Sequence, residues 1–135
     1  MKIVFDTNVI LSAFLTEGIT HRVFNDCIMN HTIFIFEFIV NELKRVLIRK
    51  FDVKSEDIKE FTNFIDSNLN SGKPVNVIPN ICRDKTDNNI LQLADFVNAD
   101  IIISGDKDLL TLKQFKKIKI LSPRDYFNEY LVNES

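Results

Sequence analysis

The chain opens on a short apolar run, Ile3-Val4-Phe5, stopped by Asp6-Thr7-Asn8. Such a run, β-branched and aromatic and bounded by polar residues, predicts a buried strand, a cap-like turn and a helix over 9–15. Val23, Phe24, Cys27 and Ile28 recur at helical spacing within 20–30, and the β-branched and aromatic stretch 32–36 predicts a second strand. From Glu37 the period changes: Phe38, Ile39, Leu43, Val46 and Leu47 recur three to four apart, the pattern of an amphipathic helix. Ser55-Glu56-Asp57 opens another helix with Ile58, Phe61, Phe64, Ile65 and Leu69 on one face, and Ser71-Gly72-Lys73-Pro74 breaks it. A third strand is predicted at 75–78 and a polar loop at 80–86. Ile90, Leu91, Leu93, Ala94 and Val97 mark a helix over 87–98. Ile101-Ile102-Ile103 is the most strand-like tripeptide in the chain, followed by Ser104-Gly105-Asp106 and a short helix over 107–112. A last strand is predicted at 118–121. Ser122-Pro123 then starts a terminal helix, with proline at the first position, where its missing N–H costs nothing. Residues 132–135 are expected to fray.

Strands alternating with helices predict a parallel sheet with helices on both faces. The 135 residues fit one domain, over 1–135, and at 45% hydrophobic they can build a core. A net charge of −2 excludes a protein that coats nucleic acid by charge alone. Two cysteines, Cys27 and Cys82, make no disulfide framework, no apolar run reaches the ~18 residues of a membrane span, and Asp6 interrupts any leader-like start. The expectation is a cytoplasmic protein with no membrane partner. The three glycines form neither a dinucleotide-binding nor a Walker-type loop.

In an open α/β sheet, function sits beyond the carboxyl ends of the strands. Asp6 follows the first strand directly, Asp106 follows the 101–103 strand, and Asp108 stands two further on. Asp87 begins a helix, and Glu42 lies one and a half turns into the helix after the second strand. Carboxylates gathered in one place raise each other's pKa, and a hard divalent ion removes that cost. Two such ions about 3.5–4 Å apart can clamp the attacking and leaving oxygens of a phosphodiester. Taken singly, Asp6 or Asp87 fits a helix cap equally well, and Glu42 a solvated helix position.

The run Ile3 to Ile10 resembles the first motif of PIN-domain nucleases, an apolar strand followed by D-T-N/S. Cys82-Arg83-Asp84-Lys85-Thr86-Asp87-Asn88-Asn89-Ile90-Leu91 resembles their third motif, in the toxin–antitoxin branch. Asn98 to Leu110, with Ser104-Gly105-Asp106, resembles the strand and fourth motif that follow. The first motif is weakly specific and the ordered set strongly so. The resemblance spans essentially the whole chain. It implies a three-layer α/β/α sandwich around a central, mostly parallel sheet, and a metal-dependent, VapC-like ribonuclease. Residue by residue it makes Asp6, Glu42, Asp87 and Asp106 the metal-binding and catalytic carboxylates, with Mg²⁺ or Mn²⁺ as cofactor and Asp108 as accessory. Thr7, Asn8 and Ser104 take supporting polar roles, and Arg83 and Lys107 stand nearest the substrate phosphate. Lys85-Thr86 departs from the Pro-Asp common among relatives, which bears on substrate preference. Implied partners are single-stranded or structured RNA, a cognate antitoxin and a second copy of the chain.

A phosphatase of the haloacid-dehalogenase type needs a second Asp where Asn8 stands, and a response-regulator receiver needs an acidic neighbour that Asp6 lacks. The remaining alternative is a catalytically silent PIN-like module that binds RNA or protein. Lys44, Arg45, Arg49 and Lys50 form one basic cluster and Lys113, Lys116, Lys117 and Lys119 another; each is either a phosphate rail or a solvated face balancing acids. His21 and His31 are expected to be structural. Phe14, beside Leu11 and Leu15, is a candidate interface residue.

Overall fold

The computed structural model describes residues 1–72 and 85–132, the side chains of 38, 71 and 85–87 excepted. The elements are β1 (Lys2–Phe5), α1 (Thr7–Leu15), α2 (Ile19–Asn30), β2 (Thr32–Phe36), α3 (Glu37–Phe51), α4 (Ser55–Asn68) and β3 (Leu69–Gly72). After these come α5 (Lys85–Phe96), β4 (Ile101–Ile103), α6 (Lys107–Leu112), β5 (Gln114–Phe115), β6 (Ile118–Leu121) and α7 (Pro123–Tyr126), which runs on into a π-helical turn, Phe127–Leu131.

Among the described residues the strands form one sheet in the order β3-β2-β1-β4-β6-β5. All pairs are parallel except β5 with β6. Ile3, Val4 and Phe5 of β1 and all three isoleucines of β4 are buried, as strands covered on both faces require. Helices α1, α2, α3, α4 and α7 pack on one another, while α5 lies against β1, β2 and β4. Right-handed crossovers produce this division, because the chain runs one way along the sheet from β1 to β3 and the opposite way from β3 to β4. The result is the α/β/α sandwich expected from the sequence.

β1 therefore sits between β2 and β4, with the β1–β2–β3 connections running to one side of it and the β3–β4 crossover returning to the other. This is the topological switch point of the sheet, the place where open α/β folds bind ligands. Its upper rim consists of Asp6, directly after β1, and Ser104-Gly105-Asp106, directly after β4.

Two local expectations, at Leu69 and at Phe64, need correction. The helix expected to carry Leu69 ends at Asn68, and Leu69–Gly72 is β3, pairing Leu69 with Ile33 and Gly72 with Phe36. A single buried Leu suits a sheet face as well as a helix face, and pairing along β2 decides between them. The strand expected at 75–78 and the loop at 80–86 lie mainly outside the described residues. β5 was not foreseen. It turns into β6 through Lys116-Lys117, with Lys116 at φ 55°, a conformation usually supplied by Gly, Asn or Asp. Phe64, assigned inward by helical spacing, is partly exposed, whereas Phe61 is buried and takes the ring edge of Phe14 at 4.8 Å between centroids.

Candidate functional site

Asp6 occupies the N-cap position of α1, with φ −64° and ψ 147°, yet its carboxylate makes no capping hydrogen bond. Its backbone N–H donates to the Ile103 carbonyl at 2.9 Å, which ties the end of β1 to the end of β4. The side chain, only 4% exposed, accepts the Ser104 hydroxyl at 2.7 Å. Ser104 is fully buried; its Oγ also accepts the Asp106 N–H at 3.0 Å, and its own N–H donates to the Leu121 carbonyl at 3.0 Å. One hydroxyl thus fixes the relative position of the two acidic strand ends.

Asp106 works differently. It is the N-cap of α6, and its Oδ1 accepts the N–H groups of Asp108 at 2.8 Å and Leu109 at 3.4 Å. The cap thus accounts for one oxygen of Asp106, whereas the strongest bond to the Asp6 carboxylate comes from the Ser104 hydroxyl. Burial pushes the Asp6 carboxyl above its ordinary value of 3.8, and the charge of Asp106 pushes it further. The hydrogen bond from Ser104 and the nearby amides of Asn8 and Thr7 oppose this without cancelling it. The hydroxyl of Thr7, the next residue, is buried and has no hydrogen-bond partner.

Beside these groups opens a cleft of about 650 Å³. Asn8, Lys107 and Asp108, all singled out in the sequence, line it together with Asp106. Ser12, Thr20 and Pro123 line it as well and were not foreseen. Ser12 stands one helical turn after Asn8, a spacing that would have revealed it; nothing in the sequence marked Thr20. Glu42 is half-buried on α3 and is not part of this lining. Asp87 is the third residue of α5, with its side chain outside the description, and Arg83 lies outside the described residues. Among the described residues no three acidic, His or Cys side chains stand together closely enough to hold an ion.

The chemistry of the group nonetheless suits a hard divalent cation. The donors are all oxygens, the carboxylate of Asp6 carries an uncompensated burial and repulsion cost, and the buried Thr7 hydroxyl lacks a partner beside it. The two histidines serve structure: His21 Nδ1 is 2.8 Å from the Ala13 carbonyl, and His31 Nδ1 is 3.0 Å from the N-terminal amine. In the second basic cluster, Lys116 pairs with Asp95 and Lys119 with Glu129, the behaviour of a solvated, charge-balanced face.

Residues 2–108 match a family model described as PIN domain. The chain is 28% identical, over an alignment of 149 residues, to the uncharacterized protein MJ1680 of Methanocaldococcus jannaschii. That alignment covers 96% of this chain and 92% of the relative. It also superposes on a chain from the crystal structure of VapBC2 from Rickettsia felis bound to a DNA fragment from their promoter. The TM-score is 0.61 and the identity 15%, with 90% of this chain and 98% of the other covered, a likeness of fold.

Proposed function

Since the chain belongs to the PIN-domain family of nucleases, we propose that it is a metal-dependent, single-strand-specific RNA endonuclease and the toxin of a toxin–antitoxin pair. It hydrolyses phosphodiesters to leave 5′-phosphate and 3′-hydroxyl ends. The observation that carries this reading is the buried Asp6 carboxylate, held by the Ser104 hydroxyl beside Asp106 at the switch point. A silent binding module has no reason to keep a carboxylate buried at that cost.

In this reading Asp6, Asp87 and Asp106 hold Mg²⁺ or Mn²⁺, Glu42 serves a second ion and Asp108 is accessory. A bound ion supplies a water of lowered pKa and neutralises charge on the leaving oxygen. The protein's own part is positional. Ser104 orients Asp6, Asp106 keeps its cap through Oδ1, and Asn8 and Lys107 line the cleft where the scissile phosphate enters. Thr7 offers its unpartnered hydroxyl to a water or a ligand of the ion. Neither histidine is needed, so the 2′-hydroxyl of RNA plays no part in the bond cleavage. The neighbour is VapBC2 bound to a DNA fragment from their promoter; in this reading the present chain dimerises and is held inactive by an antitoxin.

The test is cleavage of a panel of short 5′-labelled single-stranded RNAs by wild type and Asp6→Asn in Mn²⁺, Mg²⁺ and EDTA. Metal-dependent cuts with 3′-hydroxyl ends, absent from Asp6→Asn, are expected. Cutting that survives EDTA rejects the mechanism. No cutting, with no stabilisation by Mn²⁺, favours the silent module.

A further inference from the structure

A second concavity, of about 540 Å³, adjoins the carboxylate cleft and shares Asn8 and Ser12 with it. Leu11 and Leu15 of α1, Thr16 directly after it, and Phe51 complete its lining. Phe51 is the last residue of α3 and is 48% exposed; Leu15 is 37% exposed. The chain leaves α3 through Asp52 in the left-handed conformation, φ 51° and ψ 40°, which fixes where the helix ends and so where Phe51 stands. The lining carries no charge, while exposed Arg49 and Lys50 occupy the last turn of the same helix.

We propose that this shelf is a nucleobase subsite, in which a base flanking the scissile phosphate stacks on Phe51 over Leu11 and Leu15. The inference rests on the nuclease reading and names how the substrate is gripped. Three features select a nucleic-acid strand as occupant. The shelf is continuous with the cleft through Asn8 and Ser12, so one chain can occupy both. An exposed aromatic beside flanking cations is the combination by which proteins hold single strands, with stacking on the ring and the backbone near the positive charges. Asn8, at the boundary, is exposed and offers both a donor and an acceptor to the nucleotide that crosses it. Stacking of this kind tolerates any base, because every base has a π-face.

The chain contains no Trp, so Phe51→Trp places a single indole, excited selectively at the red edge away from tyrosine, on the shelf. The experiment uses the cleavage-defective Asp6→Asn background, a fluorescein-labelled single-stranded RNA hexamer, and an abasic hexamer of equal charge. Emission of Phe51→Trp is expected to be quenched by the RNA and not by the abasic strand. Phe51→Ala should weaken hexamer binding, read by anisotropy, by roughly 5- to 150-fold, the span of base–aromatic stacking, while Phe51→Trp retains it. Far-UV circular dichroism confirms that both variants fold. Hexamer binding with unchanged Trp emission and no loss in Phe51→Ala overturns the subsite and leaves the nuclease reading intact. A Phe51→Ala variant that turns a dimer into a monomer at unchanged RNA affinity assigns the shelf to a protein interface and also overturns it. A wild type that neither binds nor cuts the hexamers in Mn²⁺ rejects the nuclease reading, and the subsite with it.

Discussion

The Ser104 hydroxyl donates to the Asp6 carboxylate at 2.7 Å and, through the same oxygen, accepts the Asp106 amide at 3.0 Å. Ser104→Ala breaks both bonds inside a fully buried position. The expected cost is about 1–3 kcal/mol in denaturant unfolding. Because the Ser104 bond favours the charged form of Asp6, its loss should raise the Asp6 pKa further, measurable by NMR titration of the carboxyl carbon. A serine serving only to terminate β4 would leave that titration unchanged.

Asp6→Asn should stabilise the protein at neutral pH while abolishing cleavage. The folded-state pKa of Asp6 lies above its ordinary 3.8, so the folded chain holds the proton more tightly than the unfolded one. The favourable contribution is present at low pH and is lost as pH rises through the folded value. The advantage of Asn should accordingly be small at pH 3 and full at pH 7, as melting temperatures at the two pH values will show. Mn²⁺ should raise the melting temperature of wild type and not of Asp6→Asn.

Asp106→Asn and Asp106→Ala separate structure from chemistry. Asn caps a helix about as well as Asp, so Asp106→Asn should keep α6 and lose cleavage. Asp106→Ala should lose both, with an additional stability cost of about 0.5–2 kcal/mol. Equal stability of the two variants would show that the cap contributes nothing.

Tyr126 docks α7 onto α2. It is fully buried, and its hydroxyl donates to Asp26 at 3.0 Å beside the buried Cys27. Burial pushes the Cys27 thiol up to about 12, so native Cys27 should resist thiol reagents at pH 8. In a Cys82→Ser background its modification should track unfolding. Tyr126→Phe should cost about 1–3 kcal/mol and speed that modification.

Gly18 adopts φ 144° and ψ −156° at the start of α2, a region open to glycine alone. A methyl group there would meet no neighbour. Gly18→Ala should therefore destabilise through backbone strain alone, by about 1–3 kcal/mol in chemical denaturation.

The sandwich was legible because most strands are short apolar runs closed by polar turns, and most helices carry a clear inward face. The strand at Leu69 was hidden because its apolar position continues the period of α4, and only pairing with β2 distinguishes the two outcomes. β5 was hidden because Lys116-Lys117 lacks turn chemistry and relies on sheet contacts to hold a positive φ. At the site, the order of motifs along the chain marked Asp6 and Asp106. The different uses of their oxygens, and the hydroxyls of Ser12 and Thr20 along the cleft, depend on packing between elements far apart in sequence.

That distance in sequence also has a temporal meaning. Asp6 and Ser104 are 98 positions apart, and Ser104 is itself anchored on Leu121 of β6. A chain growing from its N-terminus has no β4 to bring the second carboxylate until most of it has been synthesised. Its paired acids cannot exist while the ribosome is still reading the middle of the message. The juxtaposition of Asp6 with Asp106 is thus among the last features of the fold that synthesis can complete.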